Sequence, residues 1–312
     1  MNVVGVGVGV LCFLRPNYLL QRVEEIQTYL PKSPITVLVD RYAGSNQELI
    51  QRNNQVLIES ARLQRKGKIT KVITKSENVG VKNAFLELNL AVLEENEFSL
   101  YIEDDLRLKH DPSQFLSECT TMMRANEKIA IACLYDSIFH FPQFRNTEST
   151  PRLTYFPKMW GVLSRIEIFH IQSEELIDIS STVDDVFSKF ELCRINSASG
   201  LASTWKWKMA KAIQSKSAWD TELQLRIWSR NMTCIAPDRN YVLDLGTDDT
   251  SVSRRRLELR YLHFPKFWRG ADFNFCIRCE SWGLTRYAER HERLRLLREN
   301  FRRIQFRSNS QF

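Results

Sequence analysis

The chain is short of several features that would have placed it in a class at once. No apolar run approaches the ~20 residues a membrane-spanning helix needs. The longest, Val3 to Leu14, stops at Arg15-Pro16. It also lacks a basic leader, so it fits a buried strand better than a secretory signal. Cysteine is sparse and irregular: seven residues, an odd number without framework spacing, which fits a reducing, cytoplasmic setting. Cys276 and Cys279 form one C-x-x-C with no second pair to complete a zinc site, so the pair reads as structural. His110, His140, His170, His263 and His291 have no ligand spacing and read as structural or solvated. With 11 glycines and 9 prolines in 312 residues there is no low-complexity linker and no fibrous pattern, and no internal repeat is present.

What is there is ordinary globular material, 43% hydrophobic and 26% charged, long enough for one domain with an appendage. The formal charge of +7 is unevenly placed. Ser251 to Phe312 carries 15 Lys/Arg against 6 Asp/Glu, and the preceding 250 residues carry 29 against 31. A boundary is therefore expected near residue 250, with a catalytic domain over 1–250 and a basic, partly helical segment over 251–312.

Up to residue 135 the pattern alternates. Val3–Phe13, Ile35–Val39, Ile69–Thr74, Phe98–Ile102 and Ile129–Leu134 read as strands. Between them, helical spacing begins at Pro16, recurs over Leu49–Leu63 and Val81–Val92, and restarts at the capping box Asp111-Pro112-x-Gln114. Such crossovers predict an α/β fold, a mostly parallel sheet with helices on both faces. Ligands of such sheets sit beyond the carboxyl ends of the strands, which singles out Asp40, Glu103 to Asp105, and Asp136.

Gly5, Gly7 and Gly9 alternate with valine within the first strand. A dinucleotide fingerprint would place its glycines after the strand, with the third where Val10 stands, so these read as close-approach positions for a helix or ligand. Glu103-Asp104-Asp105 is the stronger signal. Three successive carboxylates behind a buried strand are costly unless a cation compensates them, and a hard divalent ion such as Mn2+ or Mg2+ suits oxygen ligands. Asp220, beside Trp219 at the start of a helical stretch, is a carboxylate that could serve as general base or simply as a helix N-cap. Asp184-Asp185 reads as a cap or helix lead-in, and Trp205-Lys206-Trp207-Lys208 as a half-buried strand or helix edge.

Asn78-Val79-Gly80, a helix, and then Tyr101-Ile102-Glu103-Asp104-Asp105-Leu106 resemble the core of GT-A nucleotide-sugar glycosyltransferases. The likeness is to N-acetylglucosaminyltransferase I-like and bacterial family 2-like enzymes. That resemblance implies Asp105 as metal ligand, Glu103 and Asp104 as donor and outer-shell residues, and Asp40 as a nucleobase contact. It further implies that Tyr155 to Gly161 forms an aromatic-glycine loop at the acceptor side, with Trp160 and Gly161, and Asp136 nearby. Trp219-Asp220-Thr221-Glu222 resembles the segment that supplies the catalytic base of inverting members, and Asn240 to Ser251 resembles a late loop, here without its histidine. UDP as nucleotide and a glycan or lipid-linked acceptor follow from the same likeness.

Two rivals remain open at this point. A sugar-phosphate nucleotidyltransferase would want a Gly-rich basic loop after the first strand, of which Leu14-Arg15-Pro16-Asn17 is a poor version. A nucleic-acid-binding protein would use the arginine-rich end and leave the acidic triplet without purpose, so nucleic acid is not expected as a partner. In that end, Leu294, Leu297, Phe301 and Ile304 form an amphipathic stripe among arginines. The stripe either packs on the catalytic domain or rests on an anionic membrane.

Overall fold

The computed structural model describes residues 3–136, 151–154, 157–169, 179–189, 198–215 and 217–245. The C-terminal stripe, the Cys276–Cys279 pair and all histidines except His110 lie outside the described residues.

Strand β1 (Val6–Cys12) is buried along its whole length because helices cover both faces. Val6, Val8, Val10 and Cys12 face α1 (Pro16–Tyr29), while Gly7, Gly9 and Leu11 face α3 (Gly80–Leu93). A Cβ on Gly9 would lie 2.9 Å from Leu88 Cγ, and one on Gly7 would lie 2.8 Å from Val92 Cγ1. The alternating glycines thus let α3 rest on the strand backbone, the close-approach role expected of them. β2 (Ile35–Val39), α2 (Gln47–Arg65) and β3 (Lys71–Thr74) extend the sheet on one side, and β4 (Phe98–Glu103) pairs with β1 on the other. A short β5 (Leu106–Leu108) leads to α4 (Ser113–Ala125) and β6 (Ile129–Tyr135). The expected capping box does not form: Pro112 is the N-cap rather than the first helical residue, Asp111 Oδ1 accepts the Ser113 N–H at 2.8 Å, and Gln114 donates to Glu118.

Beyond residue 150 the chain adds β7 (Arg152–Thr154), β8 (Lys158–Arg165), α5 (Ile179–Lys189), α6 (Ala198–Gln214), α7 (Trp219–Ser229), β9 (Thr233–Ala236) and β10 (Val242–Asp244). The main sheet runs β3-β2-β1-β4-β8-β6-β9-β7. β1, β2, β3, β4, β6 and β9 point one way, whereas β8 and β7 run against them. The fold is α/β with a mostly parallel sheet, as the alternation predicts.

Two expectations need correction. Lys158 to Gly161 is strand, not loop, because β8 wedges antiparallel between β4 and β6. Its register slips between Cys133 and Tyr135, where Gly161 adopts φ +67° against Leu134, a bulge that suits a residue without a Cβ. Asp184 and Asp185 lie inside α5 rather than at its start, and Asp184 pairs with Lys206 of α6 at 2.7 Å. Trp205 is buried against Trp228, while Trp207 stays exposed under Lys211, so the Trp-Lys alternation is the edge of a helix.

Candidate active site

The carboxyl ends of β1, β2 and β4 lie side by side, and the backbone holds the acids there before any side chain acts. The Asp40 N–H donates to Cys12 O and the Asp104 N–H to Leu11 O, so both residues stay in register with the end of β1. Asp105 follows in a turn, and its carbonyl accepts the Leu245 N–H at 2.9 Å.

Within the triplet, Glu103 is half-buried and Asp104 is 4% exposed. Burial, and then the charges of Asp105, Asp104 and Asp220, push the Glu103 carboxyl well above the ordinary carboxylate range. The Tyr101 hydroxyl donates to Glu103 Oε1 at 3.2 Å and opposes that rise. Burial also raises Asp104, to about 7, although the Arg15 guanidinium beside it pulls the other way. Arg15 Nη1 reaches Asp104 Oδ1 at 2.9 Å and Asp105 Oδ2 at 3.1 Å, forming a bridge between the two acids. Asp104 Oδ2 is buried and accepts no hydrogen bond.

That oxygen bears on the fit of a divalent cation. An orphaned carboxylate oxygen beside two further acids is a hard-oxygen donor set short of positive charge. Among the described residues no three His, Cys, Asp or Glu side chains converge to hold a metal alone. A hard cation bound by one or two carboxylates and completed by substrate phosphates needs no such cage, so the residues fit Mg2+ or Mn2+ in that mode.

Asp220 enters from the opposite layer. α7 is pinned by Trp219, which stacks on Phe85 at 4.1 Å and meets Tyr101 edge-on at 5.2 Å. Tyr101 is the residue that holds Glu103, so Asp220 stands close enough for its charge to act on Glu103. Asp220 is exposed and is not the N-cap, a place taken by Ala218; its Oδ1 accepts the N–H of Thr221 at 2.7 Å. Glu222, two residues on, is tied to Lys82 and to Arg226.

Asp40, the nucleobase contact that the resemblance implies, is tied to the backbone around it. Its Oδ1 accepts the Arg41 and Val79 amides, and its Oδ2 accepts Asn78 Nδ2 and the Gly80 amide, at 2.9–3.2 Å. Four acceptor positions are thereby filled, and the residue anchors the start of α3. Asn53 fixes the same turn by donating to the carbonyls of Phe13 and Asp40. Asp136 directly follows β6, two strands from β4, and its amide donates to Asn240 Oδ1 at 2.7 Å. Trp160 tilts over Tyr135 at 4.4 Å, and Trp160 and Gly161 follow on from the Tyr101–Val162 pair toward Glu103. Trp160, Gly161 and Asp136 therefore share the triplet's edge of the sheet.

Arg15 is the residue that sequence reasoning missed. In the sequence it stands only within Leu14-Arg15-Pro16-Asn17, a poor version of a phosphate loop. Its position just past the carboxyl end of β1 was the available signal, because the rule that selects the acids there selects their counter-charge as well.

No family model and no curated protein matches the chain. Solved structures similar to it include S. aureus TarS 1-349, at 13% identity and TM-score 0.43 over 78% of this chain and 60% of that one. Another is the mannosyltransferase PcManGT from Pyrobaculum calidifontis in complex with GDP-Man and Mn2+, at 10% identity and TM-score 0.36 over 57% and 51%. A third is a putative glucose-1-phosphate thymidylyltransferase from Bacillus anthracis, at 10% identity and TM-score 0.36 over 84% and 98%. The chain thus spans about half to three-fifths of the length of the first two. Likeness of this degree carries no argument about chemistry, which has to come from the side chains themselves.

Proposed function

We propose that this chain is a glycosyltransferase that moves a sugar from a nucleotide-diphosphate donor to a hydroxyl acceptor with the help of a divalent cation. The observation that carries the reading is the buried, unpartnered Asp104 Oδ2 within three successive acids at the carboxyl edge of the sheet, with Arg15 as their counter-charge. Asp105 and Asp104 would hold Mn2+ or Mg2+, which when bound offsets the charge gathering on the departing diphosphate. Arg15, just past the carboxyl end of β1, presents a guanidinium whose geometry suits phosphate oxygens. Glu103, steadied by Tyr101, orients donor hydroxyls. Asp220 takes the proton of the acceptor hydroxyl as that oxygen bonds to the sugar carbon and the bond to diphosphate breaks. Trp160, Gly161 and Asp136 border the acceptor side.

The resemblance in sequence supports UDP as nucleotide, inversion at the transferred carbon, and a glycan or lipid-linked acceptor met in the cytoplasm or at the inner face of a membrane. It also supports a catalytic unit over 1–250 with a separate basic segment behind it. The nucleotidyltransferase reading gains nothing from the fold, since β1 passes through Phe13-Leu14-Arg15 directly into α1 at Pro16, without a glycine-rich cradle.

Thermal melting tests the reading. UDP should raise the Tm when Mn2+ is present and much less after chelation, because carboxylates and diphosphate repel without a cation between them. Asp105→Ala should abolish that linkage while leaving the fold intact. Equal shifts with and without metal, for UDP, GDP and dTDP alike, would overturn it.

A further inference from the structure

The short strand that leaves the acidic triplet is gripped on both edges, and on only one of them by another strand. β5 pairs with β10, Arg107 opposite Leu243, and the Leu106 and Leu108 backbone groups therefore point the other way, toward α1. There Arg22 Nη1 donates to the Leu106 carbonyl at 2.7 Å, and Glu25 Oε2 accepts the Leu108 N–H at 2.8 Å. Arg22 and Glu25 also hold each other, at 2.5 and 3.0 Å. Two side chains one helical turn apart thus supply the donor and acceptor that a neighbouring strand would have supplied.

This arrangement is expensive. Arg22 is wholly buried, and its Nε has no partner. Burying a guanidinium against a half-buried carboxylate usually stabilises a fold no better than apolar residues of the same size would, whereas their fixed geometry can select one conformation. What the pair fixes is the backbone directly after Asp105, and Arg22 is near enough to Asp104 for their charges to interact.

We propose that Arg22 and Glu25 are positioning residues, which act through the β5 backbone to hold Asp104 and Asp105 at the spacing a divalent cation requires. The inference rests on the metal and nucleotide-diphosphate reading of the site.

Arg22→Lys keeps the charge and gives up the fork, and Glu25→Gln keeps an acceptor and gives up the charge. Mn2+ affinity would be measured by electron paramagnetic resonance with the full chain and whichever of UDP or GDP shifts the wild-type melt. Loss of a residue that orients metal ligands typically weakens metal binding by about 10- to 100-fold, and at least about 10-fold is expected from each variant. Leu63→Ala, which thins the core in the last turn of α2, serves as the control. It should lower the Tm and leave Mn2+ affinity unchanged. Wild-type affinity in both variants would overturn the inference, as would failure of both to fold, which would make the pair a scaffold only. A wild type that takes no Mn2+ with either nucleotide would instead overturn the reading of the site itself, and this inference with it.

Discussion

At the scale of single residues the site is a balance between crowded negative charge and one arginine. Arg15 is 16% exposed and Asp104 6% by side chain, so removing the guanidinium leaves a buried carboxylate without its partner. Asp104, already raised to about 7, can take up a proton when the guanidinium goes, so Arg15→Gln should cost more in urea unfolding at pH 9 than at pH 6. Mn2+ with UDP should restore part of it. A loss that stays the same between pH 6 and pH 9 would mean that Asp104 is not held in its charged form by Arg15. Asp220 is tested by its isostere. Asp220→Asn should keep the Mn2+-dependent UDP shift and lower transfer by about two or more orders of magnitude, the scale of general base catalysis. Turnover close to wild type would reduce Asp220 to a residue that merely opens α7. The acids were legible in the sequence because charge behind a buried strand is conspicuous. The filled valence of Asp40 was not, since its partners Asn78, Val79 and Gly80 lie nearly forty residues away.

At the scale of elements, the contact between α3 and β1 depends on atoms that are absent. Gly9→Ala would drive its Cβ against Leu88, and overpacking of this kind costs about 1–3 kcal/mol. Leu88→Ala in the same chain should compensate part of that cost, so a double-mutant cycle would show coupling; strict additivity would disprove the contact. α7 is held by charge as well as by Trp219. Burial pushes the Glu222 carboxyl up, but hydrogen bonds from Lys82 and Arg226 outweigh it, and the net displacement is down. A carboxyl lowered on folding stabilises above its unfolded value and loses that contribution as pH falls through its folded value. Wild type and Glu222→Gln should therefore differ most near neutral pH and converge below about pH 4. Curves that stay parallel to pH 3 would show that the carboxyl is not displaced.

At the scale of the whole molecule, the surplus of positive charge belongs to residues after 250, outside the described part of the chain. No helix among the described residues is long and apolar enough to cross a membrane. Contact with a lipid-linked acceptor, if made through the stripe Leu294, Leu297, Phe301 and Ile304, would be peripheral. The full chain should co-sediment with vesicles containing anionic lipid at low salt, release them as salt rises, and lose them when cut after Gly283. Indifference of the full chain to such vesicles would assign the stripe to packing.

Local pattern alone determined the first half of the fold. Strand and helix positions up to Tyr135, apart from the short β5, follow from apolar period, Pro16 and the Asp111 turn, because each of those signals acts within a few residues. The edge on which the acids gather followed as well, since parallel strands place their carboxyl ends together. Tertiary structure alone decided the wedge of β8 between β4 and β6, because a strand carries no mark of its neighbours and Gly161 reveals its bulge only once Leu134 lies beneath it. It alone brought Arg15 to Asp104 and Asp105 across about ninety residues, and set Arg22 and Glu25 against the backbone of β5. Hydrogen bonds between distant residues depend on where the packed layers carry their ends, and that position is a property of the folded core rather than of any segment within it.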